Sequence, residues 1–281
     1  MSEQYLNRGD APFGDGVWKA IDTAVVAAAR SQLAGRRLLH TIGPQGLGFK
    51  TLPFGDSEVA QPPSAGTTPE GGGATSGVTV SSSCMIPVAM IQSEFTLSVR
   101  DIAAYEQSGI PLDLNAAVKA AIALARQEDQ LVFDGFQSLG VAGLLNTPGV
   151  RSIKLKPWNI AGDAVQDIIN AVGELDAAGL PGPYALALTP KSYNHLFRLY
   201  PQSDMTELEH TRQVVTDGIV KAPALPGGGV LIDTSGPFAN IVLGQDMMTS
   251  FVGPAPGRYQ FAILESLALW VRVPEAICIL K

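Results

Sequence analysis

With two cysteines and three histidines in 281 residues, the chain has little material for the metal and redox sites that proteins of this length often carry. Cys84 and Cys278 form no CxxC pair, so the sequence indicates neither a zinc knuckle nor a disulfide framework, and both read as ordinary thiols. No two of His40, His195 and His210 stand at the spacing of a metal-binding helix or a zinc finger, so no metal site is expected. Positive charge is also scarce. Nineteen basic residues against 26 acidic ones give a net charge of -7, which argues against a surface that tracks phosphate backbones and hence against a nucleic-acid partner. No window approaches about 18 uninterrupted apolar residues, and Met1 to Asp10 lacks the basic and apolar regions of a secretory signal. A soluble, cytoplasmic protein with no membrane partner is expected.

Catalytic signatures are missing too. The chain has no GxxxxGK[ST] loop and no GxSxG elbow. The run Gly43 to Gly48 lacks GxGxxG order and no βαβ unit surrounds it, so a tight turn explains it. Glu128 and Asp129 are sequence neighbours on a predicted helix and therefore point about 100 degrees apart, which suits interface or structural ion pairing better than a facing acid/base pair. Asp204, Glu207 and Glu209 form an acidic cluster beside His210 in a predicted loop, which could bind a cation weakly but for which solvated charge is the simplest account. No catalytic residue is assigned, and the chain is not expected to be an enzyme.

What the chain has in plenty is apolar surface to bury: 46% of residues are hydrophobic and only 16% charged, a balance that suits an obligate oligomer. Asp15 to Leu33 reads as a helix capped by Asp15, with Trp18, Ile21, Val25, Ala28, Ala29 and Leu33 on one side, a stripe that by itself reads as packed into the subunit's own core. Residues 61–77 are rich in Gly, Pro, Ser and Thr and cannot build a core. They precede an alternating segment from Met85 to Arg100, with Ile91, Phe95, Leu97 and Val99 on one parity.

Asp113 can cap a long helix reaching about Phe133, and Asp163 starts another with Val165, Ile168, Ile169, Val172 and Leu175 at helical spacing. Tyr184 to Leu188 predicts a short strand, and Pro190 opens a helix carrying Tyr193, Leu196, Phe197 and Tyr200. Gly229 to Asp233, Ile241 to Phe251 and Tyr259 to Val273 predict successive strands, the last with one apolar parity interrupted only by Glu265. Long helices followed by long antiparallel strands indicate an α+β fold.

Short fragments in a fixed order carry a resemblance that spans nearly the whole chain. They are Trp18 to Asp22 (WKAID), Gln32 to Arg37 (QLAGRR), Gly43 with Pro44, Gln127 to Asp129 with Phe133 and Gly135, Gly140 to Leu145 (GVAGLL), Gly182 to Tyr184, Leu243 to Asp246 (LGQD), Glu265, and Pro274 to Ala276. In this order they resemble the family 1 encapsulins, shell proteins of bacterial nanocompartments. The resemblance implies an α+β tailed-phage major capsid-like fold with a peripheral domain, an extended arm and an axial domain. The matching division is an N-terminal helix and start of the peripheral domain at 1–46, an extended arm at 47–100, the peripheral domain with its spine helix at 101–145, an axial domain at 146–224, and peripheral-domain strands at 225–281.

The function it implies is self-assembly into a closed icosahedral homo-oligomer around a cargo enzyme, a peroxidase, ferritin-like protein or other redox or iron protein of iron storage and oxidative stress. The cargo would be held by its C-terminal targeting peptide. The groove for that peptide is implied at Trp18, Ile21, Val25, Ala29, Leu33 and Arg36 with Asp246, Met247 and Phe251, so a charge placed at Val25 is expected to impair cargo capture more than assembly. A pore lined by Tyr200, Asp204, Glu207, Glu209 and His210 is implied near the five-fold axis. Val80 stands where some relatives carry a flavin-supporting aromatic, so no flavin or other cofactor is expected, and His40 replaces an acidic residue common after the paired arginines. The alternative within the same fold is a phage major capsid protein that packages nucleic acid.

Overall fold

The computed structural model describes residues 5–60 and 79–281, with side chains other than those at 54, 56–60 and 79–82. In chain order the elements are α1 (Asp15–Gln32), a single turn α2 (Gly35–Leu38), β1 (His40–Ile42), β2 (Thr51–Ala60), β3 (Thr79–Pro87), β4 (Ala89–Ser98), α3 (Val99–Ser108), α4 (Asn115–Asp134), the short β5 (Gly135–Phe136) and β6 (Val141–Ala142), and β7 (Arg151–Ile153). Then come α5 (Asp163–Asp176), β8 (Tyr184–Leu188), α6 (Pro190–His195), α7 (Glu207–Val214), β9 (Ile219–Lys221), β10 (Gly229–Asp233), β11 (Ala239–Ala255), β12 (Arg258–Val271) and β13 (Ile277–Leu280).

Two mixed sheets organise them. In the first, the long antiparallel pair β11 and β12 is flanked by β1 and β4, in the order β1-β11-β12-β4. Alternation in β4 sends Phe95 and Leu97 inward and leaves Gln92 and Glu94 outside, as a strand with one buried face requires. Phe95 stacks on Phe261 of β12, ring centres 5.0 Å apart, and Trp18 of α1 meets the same ring edge-on at 5.7 Å. These geometries suit the aromatic quadrupole. Around them α1 and α4 pack through Ile21, Val25, Ala117, Ala121 and Leu124, and the small alanines let the two helices approach closely.

The second sheet runs β7-β13-β10-β8-β9. Its Leu186, Leu188, Leu231 and Cys278 pack on Ile168, Ala171, Val172 and Leu175 of α5. A further cluster joins the two sheets: Ala185, Ala187, Val230 and Ile232 from the second meet Ile241, Leu243, Leu267 and Leu269 from the first, with Leu38 and Val132 between them.

Several sequence expectations change here. Gly14, not Asp15, stands at the cap position of α1, and Asp15 lies in its first turn. Val99 begins α3 instead of ending a strand, because Ser98 Oγ accepts the N–H groups of Arg100 and Asp101 and turns the chain into a helix. Asp113 accepts the N–H of Asn115 at 3.0 Å just ahead of α4. Ile169 is 42% exposed and faces away from the α5 core, and α6 stops at His195, which leaves Phe197 outside.

The expected arm at 47–100 includes β4, which the first sheet holds in register with β12 from Ala89 to Ser98. What stands apart is the hairpin β2–β3, registered from Thr51↔Pro87 to Ala60↔Thr79. The glycine-rich stretch at 61–77 lies outside the described residues. Strand β10 and the unpredicted β13, both within the 225–281 segment, are inner strands of the second sheet, and β12 ends at Val271 because the chain turns through Pro274–Ala276 into β13.

Candidate functional site

The apolar stripe of α1 lies together as its spacing predicts, but the subunit itself covers it. Trp18, Ile21, Val25, Ala29 and Leu33 are all buried, as is Phe251, against α4 and the β11–β12 pair. Val25 is 2% exposed, so an aspartate there would bury an unpaired carboxylate and damage the fold before it touched any ligand. Ile21, Val25, Ala29, Leu33 and Phe251 form a floor beneath the helix, and Trp18 alone of the stripe also borders a cleft. A helix with a single apolar face spends that face on its own core, and the opposite side of α1 carries Lys19, Thr23, Val26 and Arg30 to solvent.

Two clefts flank that outer side. At the start of α1, Arg8, Phe13, Trp18, Lys19 and Asp22 border a space of about 700 Å³. Arg8 holds its wall: the guanidinium lies 4.3 Å over the Trp18 ring, donates to Asp22 Oδ2 at 3.0 Å and reaches Thr249 O at 2.9 Å. At the end of α1, Gln32, Arg126, Asp129, Gln130 and Pro223 border a space of about 430 Å³.

Between the end of α1 and the sheet sits a cluster of charge. Arg36 donates from Nε to Glu128 Oε1 at 2.8 Å, from Nη1 to Asp246 Oδ1 at 2.9 Å and from Nη2 to Glu265 Oε1. Asp246 reaches it because β11 bulges between Leu243 and Met248, and bulges re-aim side chains in this way. Gly244 permits that bulge, since a Cβ there would lie 2.6 Å from Ser266 Oγ and 3.2 Å from Phe49 O. Burial alone would lower the proton affinity of Arg36, but the carboxylates of Glu128, Glu265 and Asp246 outweigh it and hold the guanidinium above its ordinary value.

Asp129, the next residue of α4, takes a different role and accepts the N–H groups of Ala34 and Gly35 at 2.9 and 2.8 Å. Burial pushes its carboxyl up to about 6 against the pull of those two bonds. Met247 is half-buried beside the same bulge. The sequence signal for Glu265 was its interruption of an apolar parity, which on a sheet face marks a carboxylate with a buried partner.

The acidic cluster of the second lobe does not form one surface. Glu207 is completely buried: it accepts the N–H of Gly162 and faces Arg198 Nη2 at 3.3 Å, so it cannot line a pore. The loop predicted to run to His210 stops at Thr206, where a capping box joining Thr206 and Glu209 starts α7. Asp204 and Glu209 remain exposed. Tyr200 and His210 are half-buried with ring centres 4.2 Å apart.

Among the described residues, no three His, Cys, Asp or Glu side chains come together as metal ligands, and no helix is long and apolar enough to cross a membrane. Burial pushes the Cys278 thiol up to about 11, which makes it inert. The side chain of Val80 lies outside the described residues.

A family model described as "Encapsulating protein for peroxidase" matches residues 3–268. The chain is 32% identical to a type 1 encapsulin shell protein of Myxococcus xanthus, covering 99% of this chain and 96% of that one. It is 29% identical to a diheme-cytochrome-encapsulin shell fusion protein of Kuenenia stuttgartiensis, covering 100% and 75%. Among solved structures it resembles a virus-like particle from Pyrococcus furiosus, with a TM-score of 0.71 at 20% identity over 94% of this chain and 99% of that one. It also resembles the capsid of Myoviridae phage XM1, with a TM-score of 0.60 at 17% identity over 88% and 91%.

Proposed function

Because the chain belongs to the encapsulin family of shell proteins, we propose that its copies close into an icosahedral compartment in the cytoplasm around a separate redox or iron enzyme, which they hold by a targeting peptide. The hairpin β2–β3 carries this reading. Among the described residues it pairs with no third strand, and a two-stranded ribbon alone is marginal in water. Its open edges find hydrogen bonds when a neighbouring copy supplies them. Met85 at its base is exposed and shares a cleft with Pro87 and Gly140, apolar surface that a neighbour would cover.

The cargo peptide is placed along the solvent side of α1 and the β11 bulge, over the floor made by Trp18, Ile21, Val25, Ala29, Leu33 and Phe251. Asp246, half exposed, and Met247 offer one polar and one apolar contact, and Arg36 fixes Asp246 from behind. Tyr200, Asp204, Glu209 and His210 are the proposed rim of an axial pore, where exposed carboxylates would favour cations. The proposed division remains a peripheral domain, an extended arm at 47–100 and an axial domain, with the hairpin β2–β3 as the projecting part of the arm. Electron microscopy of the purified protein should show uniform hollow particles, and mass spectrometry of native particles should find a retained enzyme. A small oligomer under gentle conditions overturns the shell reading. Nucleic acid inside native particles would replace it with a genome-packaging capsid, which shares the fold.

A further inference from the structure

At the junction of α2, α4, β11 and β12, three carboxylates converge on the one guanidinium of Arg36. Glu128 and Glu265 side chains are fully buried, and each gives only one oxygen to Arg36. Their second oxygens, Oε2 of both, are buried and meet no donor. A buried carboxylate oxygen without a donor is costly, and two of them at one arginine are a pattern that a proton resolves.

Among the described residues, no neighbour donates a hydrogen bond to those two oxygens, although the charge of Arg37 acts on Asp129 nearby. Arg37 of α2 turns its Nε to Leu33 O, and both oxygens of Asp129 on α4 accept backbone N–H groups. Asp246 of β11 adds a further negative charge, Gln245 donates to the Asp246 carbonyl, and Ser266 of β12 accepts the N–H of Gln245. Across from Glu265, β4 offers only Ile91.

We infer that Glu265 is held as a carboxylic acid beside the carboxylate of Glu128 over one guanidinium, and that alkali loosens the junction between the helices and the sheet by removing its proton. The electrostatics agree. Burial first, and then the charge of Glu128, push Glu265 up to about 9 against the pull of Arg36. A glutamate in an unfolded chain releases its proton near 4.5, so between about 4.5 and about 9 the folded subunit holds a proton that the unfolded chain lacks. Stability conferred by that proton falls as pH rises through this window and levels off above it. Asp129 acts in the same sense only over the lower part, up to about 6. The inference does not depend on whether the chain builds a compartment.

Two measurements on the intact protein test it. The infrared spectrum in D2O should show a protonated-carboxyl C=O band at neutral pH that disappears above about pH 9 and is missing in Glu265→Gln. In urea unfolding, wild type should weaken relative to Glu265→Gln as pH rises from neutral, by up to about tenfold in the unfolding constant per pH unit. Glu128→Gln should behave like Glu265→Gln. Absence of the band in wild type at neutral pH overturns the inference, as does a wild type whose pH dependence runs parallel to that of Glu265→Gln. The infrared measurement on wild type needs no variant and decides the matter even if both glutamine proteins fail to fold.

Discussion

Arg36 and Arg198 are both drawn towards the interior of the subunit, one in each lobe, and their surroundings differ in charge balance. Arg198 faces one carboxylate, Glu207, and gives its other N–H groups to the carbonyls of His195 and Trp158. Glu207 in turn accepts Gly162 N–H. One cation meets one anion and the remaining donors end on neutral acceptors, so the site clamps the loop between α6 and α7 to the start of α5. Arg36 faces three carboxylates, two of them fully buried. A balanced pair needs only geometry to be stable, whereas an overcharged one also needs a proton and so ties the fold to the solvent.

The largest effect should come from Arg36→Ala, which strands two buried acids and should cost about 3–5 kcal/mol in urea unfolding near neutral pH. The loss should shrink in acid, where the stranded carboxyls become neutral; a loss independent of pH would break the contrast between the two sites. Arg198→Ala should cost less, about 2–3 kcal/mol, because one partly solvated arginine leaves one unpaired acid. It should leave the alkaline slope of stability unchanged. If it altered that slope as Glu265→Gln does, the two sites would be alike after all.

Thr206→Ala removes the cap of the helix that carries Glu207 and should cost about 1 kcal/mol, measured by the same denaturation. The smallest effect concerns Glu209, whose carboxyl is held below the ordinary glutamate range by the N–H and O–H of Thr206. Its contribution is present above the unfolded glutamate pKa and is lost as pH falls through the folded one. In Thr206→Ala an NMR titration should move Glu209 back towards the ordinary value.

Where a segment's own periodicity decides its structure, the sequence was readable. The helices α1, α4 and α5 and the strands β8 and β10 follow from spacing alone, and the order of short motifs from Trp18 to Ala276 led to the family. Helix α3 was missed because it buries only Ile102, too little apolar surface for a stripe, and because its start depends on one serine hydroxyl. Strand β13 has four residues, too short for alternation to register.

The candidate site was half legible for a related reason. A stripe such as Trp18, Ile21, Val25 and Ala29 reveals that something covers it but not whether the cover is the same chain or a ligand. Ion pairing, the role that the sequence suggests for Glu128 and Asp129, holds for Glu128 with Arg36, whereas Asp129 accepts the Ala34 and Gly35 amides instead. Their convergence with Glu265, 137 positions from Glu128 in the chain numbering, is a product of the tertiary fold.

The apolar cluster shared by the two sheets has a mechanical consequence. Ala187 and Val230 on one side and Ile241 and Leu267 on the other occupy a single packed interior, and close-packed interiors resist bending. The body formed by the two sheets is therefore a stiff brick, and the curvature of any wall laid from such bricks is set at the mortar joints between them.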